Sequence, residues 1–325
     1  MTTLNAYGSL TLLELAKRID PKGQAAIIAE ILNRDNPIIQ DMPLVEANDI
    51  TTHLMTRRYS LPAGSWRSIN AGVATEASRT IQVREGIGML ESYSEVDKKL
   101  VDLAPNPAQF RMSEAAAFIE GMSQTMATTF FYGNAGTDPE QFSGIATRMP
   151  GLAATTNVIG HAGTGSDVTS LYIVQWGPEK VFGIYPRGSA SMGVNHKDLG
   201  EVTLQDASDY NYQGYRDHFQ AKIGLAVRDM RCIARLANIV VTQGAANTFD
   251  EDKLIEIMNR MPNSGGGSTI YVNSTIKTQM EIKLKDKANI NYTVSQGLGG
   301  AEVLQFRGSP VKKCDAILTT EAEIS

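Results

Sequence analysis

Phe130-Phe131-Tyr132-Gly133-Asn134, followed by Pro139-x-x-Phe142-x-Gly144-Ile145, is the stretch on which the interpretation of the fold depends. It closes a long amphipathic pattern with a glycine and a proline-containing turn, and it contains no cluster of reactive side chains. Gly133 is expected to take the left-handed conformation that commonly ends a helix, and Asp138-Pro139 to start the next turn. We interpret the stretch as a structural joint.

The residues before this joint repeat with the period of an α-helix. Ser113 is a suitable N-cap and Glu114 lies in the first turn, so a helix is predicted over residues 113–132. Apolar residues spaced by three and four positions form one helical face, and an ordinary core helix is the natural interpretation. The face contains Ala115 and the five residues predicted to pack in the core, which are Phe118, Ile119, Met122, Met126 and Phe130.

Composition is that of an ordinary soluble globular protein. The chain has 325 residues, of which 42% are hydrophobic and 20% charged, and a formal net charge of -5. This acidity argues against a general nucleic-acid binder, which needs many Lys and Arg contacts to phosphates. No signal-peptide pattern and no apolar run of bilayer length is present, which predicts a soluble cytoplasmic product without a membrane partner.

Residues 50–91 have the pattern of an extended two-stranded loop. Two strand-like runs, 54–61 and 80–91, flank turn-like residues rich in Gly, Ser and Asn. Five arginines against two glutamates give the span 51–90 a net charge of +3, which leaves -8 for the rest of the chain. This asymmetry fits docking onto an acidic neighbour, and it fits an ordinary solvated surface equally well. The candidate interface residues are Arg57, Arg58, Trp66, Arg67, Arg79 and Arg84.

The remaining pattern mixes helices and strands. A helix is predicted to start at Asp20-Pro21, and residues 171–176 and 180–185 are predicted to form a hairpin. Residues 215–239 are the longest strand-like region, with a bend at Asp229-Met230. The last third reads as a helix from Thr248 or Asp250, a strand, a helix from Ser274, and extended structure over 303–306 and 311–318.

The sequence shows no linear motif for catalysis or for binding a cofactor or metal. No GxxxxGK[ST] phosphate loop, no HxxxH or HExxH pair and no GxSxG elbow occurs. Cys232 and Cys314 are far apart and outside any CxxC motif, so neither a disulfide framework nor a cysteine-based zinc site is expected. His196-Lys197-Asp198 reads as a solvated turn rather than as an acid–base cluster.

Taken together, these segments resemble the major capsid proteins of tailed bacteriophages, and more narrowly those of short-tailed phages. The resemblance covers most of the chain. Residues 50–91, with Leu61-Pro62-Ala63-Gly64-Ser65-Trp66-Arg67 near the tip, are similar to the extended loop of that family. Residues 113–132 are similar to the spine helix of its peripheral domain, and residues 215–239 to its long peripheral strands.

The C-terminal third resembles the axial domain of the same family, through Tyr271-Val272-Asn273 between two helices and through Gly308-Ser309-Pro310-Val311. In the commoner order of the family, this unit precedes the long peripheral strands, whereas here it follows them. We therefore predict the usual α+β capsid fold with a permuted chain order. Placement of residues 303–318 in the peripheral sheet would contradict this prediction.

The resemblance implies a division into five regions. They are an N-terminal arm and helix (1–49), the extended loop (50–91), a peripheral domain (92–150 and 201–240, with long strands at 215–239), a connecting hairpin region (151–200) and an axial domain (241–325).

The function implied by the resemblance is that of a structural subunit, not an enzyme, with no cofactor or metal. Such a subunit self-assembles through pentamers and hexamers into an icosahedral head that holds packaged double-stranded DNA by enclosure only. It would reside in the virion after assembly in the host cytoplasm, with scaffolding, portal and cement proteins as further partners. Two alternatives stay open: a virion decoration or tail protein, and a cytoplasmic hydrolase whose site forms no linear motif.

Overall fold

A computed structural model of the protein describes residues 34–152, 155–188, 194–206, 208–242, 248–284, 291–296 and 302–325. The helix predicted from Asp20 lies outside the described residues. The chain divides into two compact units. Of the described residues, the first unit contains those within 34–35, 89–127 and 190–222, and the second contains those within 36–88, 128–189 and 223–325.

Helices and strands are mixed along the chain, as the predicted α+β class requires. The helices are α1 (Ile38–Asp41), α2 (Lys98–Leu103), α3 (Pro107–Tyr132), α4 (Glu251–Arg260) and α5 (Ser274–Leu284). The strands are β1 (Leu44–Glu46), β2 (Thr52–Ser60), β3 (Arg79–Gly86), β4 (Gly88–Asp97), β5 (Val158–Gly160), β6 (Val168–Val174), β7 (Val181–Tyr185), β8 (Val194–Gln205), β9 (Asn211–Val227), β10 (Ile233–Val240), β11 (Thr269–Val272), β12 (Tyr292–Gln296), β13 (Glu302–Phe306) and β14 (Ser309–Lys313).

The first unit is built around the antiparallel pairing of β8 with β9, beside which lies β4. Asp97 ends β4 and caps α2, because its side chain accepts a hydrogen bond from the backbone amide of Lys99 (2.8 Å). The apolar residues behind this corner form one buried cluster. Its members are Val96, Leu100, Val101, Ala104 and Phe110, with Tyr215 packed against them.

The second unit contains a seven-stranded sheet in the order β12-β13-β14-β11-β6-β10-β5. Every residue of β6 is buried, which is why its sequence shows no alternation. Helices α4 and α5 contribute Leu254, Ile257, Ile276 and Met280 to the same apolar cluster as the strand residues Leu171, Leu236 and Ile270. This cluster is a continuous core with no reactive group in it.

The long helix begins six residues earlier than the sequence analysis predicted. Asn106 accepts a hydrogen bond from the amide of Gln109 (3.2 Å), and Pro107 is the first helical residue, so the start is an Asn cap followed by proline. Ser113 is therefore not the N-cap, and its hydroxyl instead donates to the carbonyl of Phe110 (2.8 Å). The 26 residues of α3 span about 39 Å.

The predicted hairpin of residues 171–176 and 180–185 is wrong, although both segments are extended. Strand β6 pairs with β10 and β11, whereas β7 pairs with β1 and β9 in another sheet. Both strands are almost fully buried. Periodicity reports that such a strand is covered on both faces, but it carries no information on which strand lies beside it.

The strands that follow β9 lie in the seven-stranded sheet rather than beside β9. Strands β13 and β14 pair with each other, and β14 also pairs with β11. The outcome named above as contradicting a permuted order is therefore not seen, and the order itself stays a prediction. The predicted bend is confirmed: Asp229 caps a short 3-10 helix, Met230–Cys232, after which β10 enters this sheet. Strands β5 and β6, from the region predicted as a connector, lie in it as well.

The joint at residues 130–145 is held by close backbone contact rather than by a left-handed cap. Gly133 does not have a positive φ, which corrects the sequence prediction. A Cβ at Gly133 would lie 2.7 Å from the carbonyl oxygen of Thr129, and one at Gly144 would lie 2.7 Å from that of Phe131. The amide of Gly144 donates to the carbonyl of Gly133 (2.8 Å) and that of Ile145 to Phe130 (2.9 Å). Both glycines are needed because only backbone fits between these segments.

Candidate assembly interface

The extended loop is a two-stranded ribbon, β2 paired with β3, that carries a tip of residues 61–78. The pairing runs from Thr52 opposite Gly86 to Ser60 opposite Arg79. The ribbon ends at Gly86, so the last predicted residues of the second strand, including Glu91, belong to β4 instead. The tip contains turns and no regular strand or helix.

The ribbon has two faces that differ in chemistry. Directly paired residues share a face, so the pairing assigns each residue to one of them. One face is polar and carries Leu54 opposite Arg84, Thr56 opposite Gln82 and Arg58 opposite Thr80. The other face carries His53 opposite Glu85, Met55 opposite Val83 and Arg57 opposite Ile81. At its base this second face is covered, because Met55 is buried against Phe182, Ile184 and Ala226.

A buried ion cluster lies beside this apolar contact. The Arg148 guanidinium donates two parallel hydrogen bonds to the Glu85 carboxylate, both 2.7 Å, and Glu85 is 6% exposed. Arg57 lies 3.6 Å from the same carboxylate and donates to the carbonyl of Val227. Burial lowers the pKa of the Arg57 guanidinium, and the nearby Glu85 carboxylate opposes that change.

Arg57 is therefore removed from the candidate interface residues. Its guanidinium shares the Glu85 carboxylate with Arg148 inside the second unit, and its side chain is only 22% exposed. The sequence could not separate it from Arg58, because neighbouring residues on a strand point to opposite faces and nothing in the local pattern identifies the covered face.

The other five predicted interface residues are exposed. Arg58 and Arg84 lie on the polar face of the ribbon, Arg79 begins β3, and Trp66 and Arg67 lie in the tip. Arg67 also donates to the carbonyl of Ala71 (3.1 Å), which braces the tip internally. Trp66 is fully exposed.

The tip contains further apolar residues that the sequence analysis did not select. Leu61 is 73% exposed, Ile69 92% and Val73 50%. Large apolar side chains concentrated within so short a segment are unusual on the surface of a monomeric soluble protein. The sequence does contain a signal for their exposure. These apolar residues occur among turn residues, in a segment without the period of a helix or a strand.

Four of the five predicted packing residues of α3 are buried or half-buried. Met122 and Met126 are each 5% exposed, and Phe130 is fully buried with its ring 4.9 Å from that of Phe142. Phe118 stacks on Phe219 in the first unit, with ring centroids 5.7 Å apart. Ile119 is 42% exposed, so its prediction as a packing residue is wrong. Its spacing from Met122 and Met126 places it on the same helical face as those residues, and the spacing does not show how far along the helix that face is covered.

Among the residues that the structure describes, no group of three or more His, Cys, Asp or Glu side chains could hold a metal ion. Within the same ranges, no helix has the length and apolarity to cross a membrane. The exposed part of the loop places Trp66 next to Arg67, and aromatic residues and arginine are enriched at protein–protein interfaces.

Comparison with known proteins gives a family and one similar structure. The model of a family described as major capsid protein GP7 matches residues 20–325. No curated protein matches the sequence. A chain in a near-atomic structure of bacteriophage Epsilon15 is 30% identical, with 99% of each chain covered and a TM-score of 0.75.

Two other solved structures are more distant. An encapsulin complex of Synechococcus elongatus is 12% identical over 74% of this chain and 100% of its own, with a TM-score of 0.46. The capsid of a native GTA particle is 12% identical over 67% of this chain and 95% of its own, with a TM-score of 0.42.

Proposed function

Because the chain belongs to the major capsid protein GP7 family, we propose that it builds an icosahedral phage head from pentamers and hexamers, and that its extended loop is a principal contact between copies. A major capsid protein is a structural, shell-forming subunit, so this chain self-associates, resides in the virion and is not an enzyme. The alternatives of a decoration or tail protein and of a hydrolase gain no support from the family or from the similar structure.

The observation that carries the role of the loop is the exposure of its tip. Leu61, Trp66 and Ile69 lie in solvent in a single copy, where they contribute nothing to the folded subunit. Their burial against a second copy would release roughly 1.5–3 kcal/mol per side chain. A closed shell repeats each contact many times, so a modest contact is sufficient.

Charge supports the same role. The loop span carries +3 and the rest of the chain -8, and four of its arginines are exposed. An exposed basic segment on an acidic chain is attracted to other copies of that chain, and complementary charge orients the encounter.

We extend the proposal to the surroundings of the shell. The subunit assembles in the host cytoplasm and encloses double-stranded DNA without gripping it, in keeping with its net negative charge. Scaffolding, portal and cement proteins are the proposed additional partners, since a closed shell of one chain has no entrance for DNA.

Replacement of the tip tests the role of the loop. Ser60 and Arg79 are paired, so an Asn-Gly turn in place of residues 61–78 should close the ribbon as a simple hairpin. The expected result is a folded, soluble subunit that forms no shells in electron micrographs. A Gly/Ser tip of unchanged length is the matched control for loop length, and it should fail as well. Normal shells from either variant would refute the proposed role.

A further inference from the structure

The buried cluster of Glu85, Arg148 and Arg57 has an arrangement that the formation of a hydrophobic core does not explain. We propose that it is a clamp that sets the direction in which the extended loop leaves the subunit, and hence positions the tip for assembly. This inference rests on the proposed role of the tip, and the experiment below distinguishes failure of one from failure of the other.

The location of the cluster is the first argument. Among the described hydrogen bonds between β2 side chains and the rest of the second unit, the one from Arg57 to the carbonyl of Val227 lies farthest along the strand. Beyond it, Arg58, Tyr59 and the whole tip except Ala71 are exposed, and Ile81 on the partner strand is 52% exposed. The clamp therefore lies where the supported part of the ribbon ends.

The second argument is the number of separate segments that the cluster joins. Glu85 comes from β3 and Arg57 from β2, so both strands of the ribbon are held. Arg148 follows the joint and also donates to the carbonyls of Ser143 (3.1 Å) and Leu225 (3.2 Å). One carboxylate thus ties the two ribbon strands to the joint and to the end of β9.

The geometry favours positioning over simple stabilisation. The bidentate pairing of Arg148 with Glu85 fixes orientation as well as distance, which a single apolar contact does not. The cluster holds two guanidinium groups against one carboxylate, and the Nε atoms of Arg57 and Arg148 have no hydrogen-bond partner. Buried ion pairs of this kind are a poor source of stability but define one arrangement of the chains they join.

The part of the extended loop beyond the clamp is long enough for a small change in its direction to move the tip. Three residues of β2 and eight residues of the tip lie between Arg57 and the turn at residues 69–70, so at ~3.3 Å per extended residue the arm beyond the clamp is on the order of 30 Å. A tilt of about 10° at the base would displace the tip by about 5 Å, more than one residue along a strand. A closed shell repeats the same contact in many copies, so the tip has to reach a matching site on each neighbour.

The test separates direction from folding by using two variants. Glu85→Gln leaves two partly buried guanidinium groups without the carboxylate that they share, so a loss of folding would be ambiguous. The pair Glu85→Gln with Arg148→Met removes charge from both sides and retains the apolar contact of Met55. It should fold with an unfolding midpoint close to that of the parent.

The direction of the loop is measured by spin labels at Ser68→Cys in the tip and at Glu140→Cys, an exposed position within the joint, on the unassembled full chain. Both native cysteines are buried. The parent should give one narrow distance distribution and shells of one size. The double variant should give a broadened distribution and lose uniform shells, with partial structures or mixed sizes in electron micrographs.

A narrow distribution and uniform shells from the double variant would overturn the clamp while leaving the role of the tip intact. If the tip-replacement variant also forms normal shells, then the proposed role of the loop has failed and not only the clamp. Unchanged shells together with a broadened distribution would show that the direction of the loop in the free subunit has no part in assembly, which also overturns the inference.

Discussion

The joint at residues 130–145 and the tip at residues 61–78 both contain aromatic residues and glycine, but these residues have opposite roles in the two regions. In the joint, Phe130 and Phe131 are fully buried and two glycines let backbone segments touch. In the tip, Trp66 is fully exposed and Gly72 has no atom near its absent Cβ. The same residue types stabilise the subunit in the joint, whereas in the tip they are exposed and available for contact with a second copy.

The largest expected contrast is between Phe130→Ala and Trp66→Ala. The first removes a fully buried ring and should lower the free energy of unfolding by about 3–5 kcal/mol. The second should leave this free energy within about 0.5 kcal/mol of the parent and abolish or severely slow shell formation. Denaturant unfolding of the unassembled subunit and light scattering during assembly check the two halves. Equal destabilisation by both would show that the tip packs on its own subunit.

The contrast also explains what the sequence could predict. The helix face of Met122, Met126 and Phe130 and the two strand-like runs of the ribbon are local patterns, so the sequence predicts them. The partner strands of β6 and β7, and the contact of Arg57 with Glu85, depend on residues far away along the chain. The local sequence pattern therefore does not predict them. The Asn106-Pro107 helix start was readable but was missed, since Ser113 with Glu114 offered a competing signal.

Trp66 and Leu61 illustrate the remaining difficulty for the candidate site. An interface residue and a core residue have the same chemistry, and the difference lies in whether the covering atoms belong to the same chain. The exposure of Ile119, which the helical spacing assigned to the core, is the same ambiguity on a regular element.

A second comparison uses glycine. In Gly144→Ala the new methyl group would lie 2.7 Å from backbone atoms of Phe131 and Thr129, which cannot give way as a side chain can. We expect a loss of about 1–3 kcal/mol in unfolding free energy, as for an overpacked core. Gly72→Ala, whose added methyl meets nothing within 4 Å, is the matched control and should be neutral. The melting temperatures of both variants check this, and a neutral Gly144→Ala would remove the structural reason given for the joint.

Acid should affect the buried body and not the tip. Burial, and next the charge of Lys253, lower the pKa of His161 to about 4, from an ordinary value of 6.5. Below about pH 6.5, His161 binds a proton in the unfolded chain but stays neutral in the folded chain. The free energy of unfolding therefore falls as the pH drops from 7 to 5. After allowance for solvent screening, the contribution is about 1 kcal/mol.

His161→Gln is the matched variant for this effect. Between pH 7 and pH 5, its free energy of unfolding should fall by about 1 kcal/mol less than that of the parent. Urea unfolding of the unassembled subunit at the two pH values measures the difference. The tip contains Arg67 and Glu76 but no histidine, so replacement of the tip should not alter this part of the pH profile. Parallel pH profiles for parent and His161→Gln would contradict the assignment.

The smallest expected effect concerns the polar face of the ribbon. Arg58→Glu should weaken assembly several-fold at low salt and less at high salt, because exposed charge contacts contribute about 0.2–1 kcal/mol and are screened. Lys197→Glu changes the charge equally at an exposed position outside the loop and is the control. Light-scattering rates at several ionic strengths compare them. Equal behaviour of the two variants would favour the solvated-surface interpretation of the arginines and leave the apolar tip as the contact.

The most direct test of the central claim is an electron cryomicroscopy map of shells assembled from this chain, at a resolution that shows side chains. The account predicts that Leu61, Trp66 and Ile69 are buried against a second copy throughout the shell. A closed shell in which Trp66 remains in solvent would contradict it.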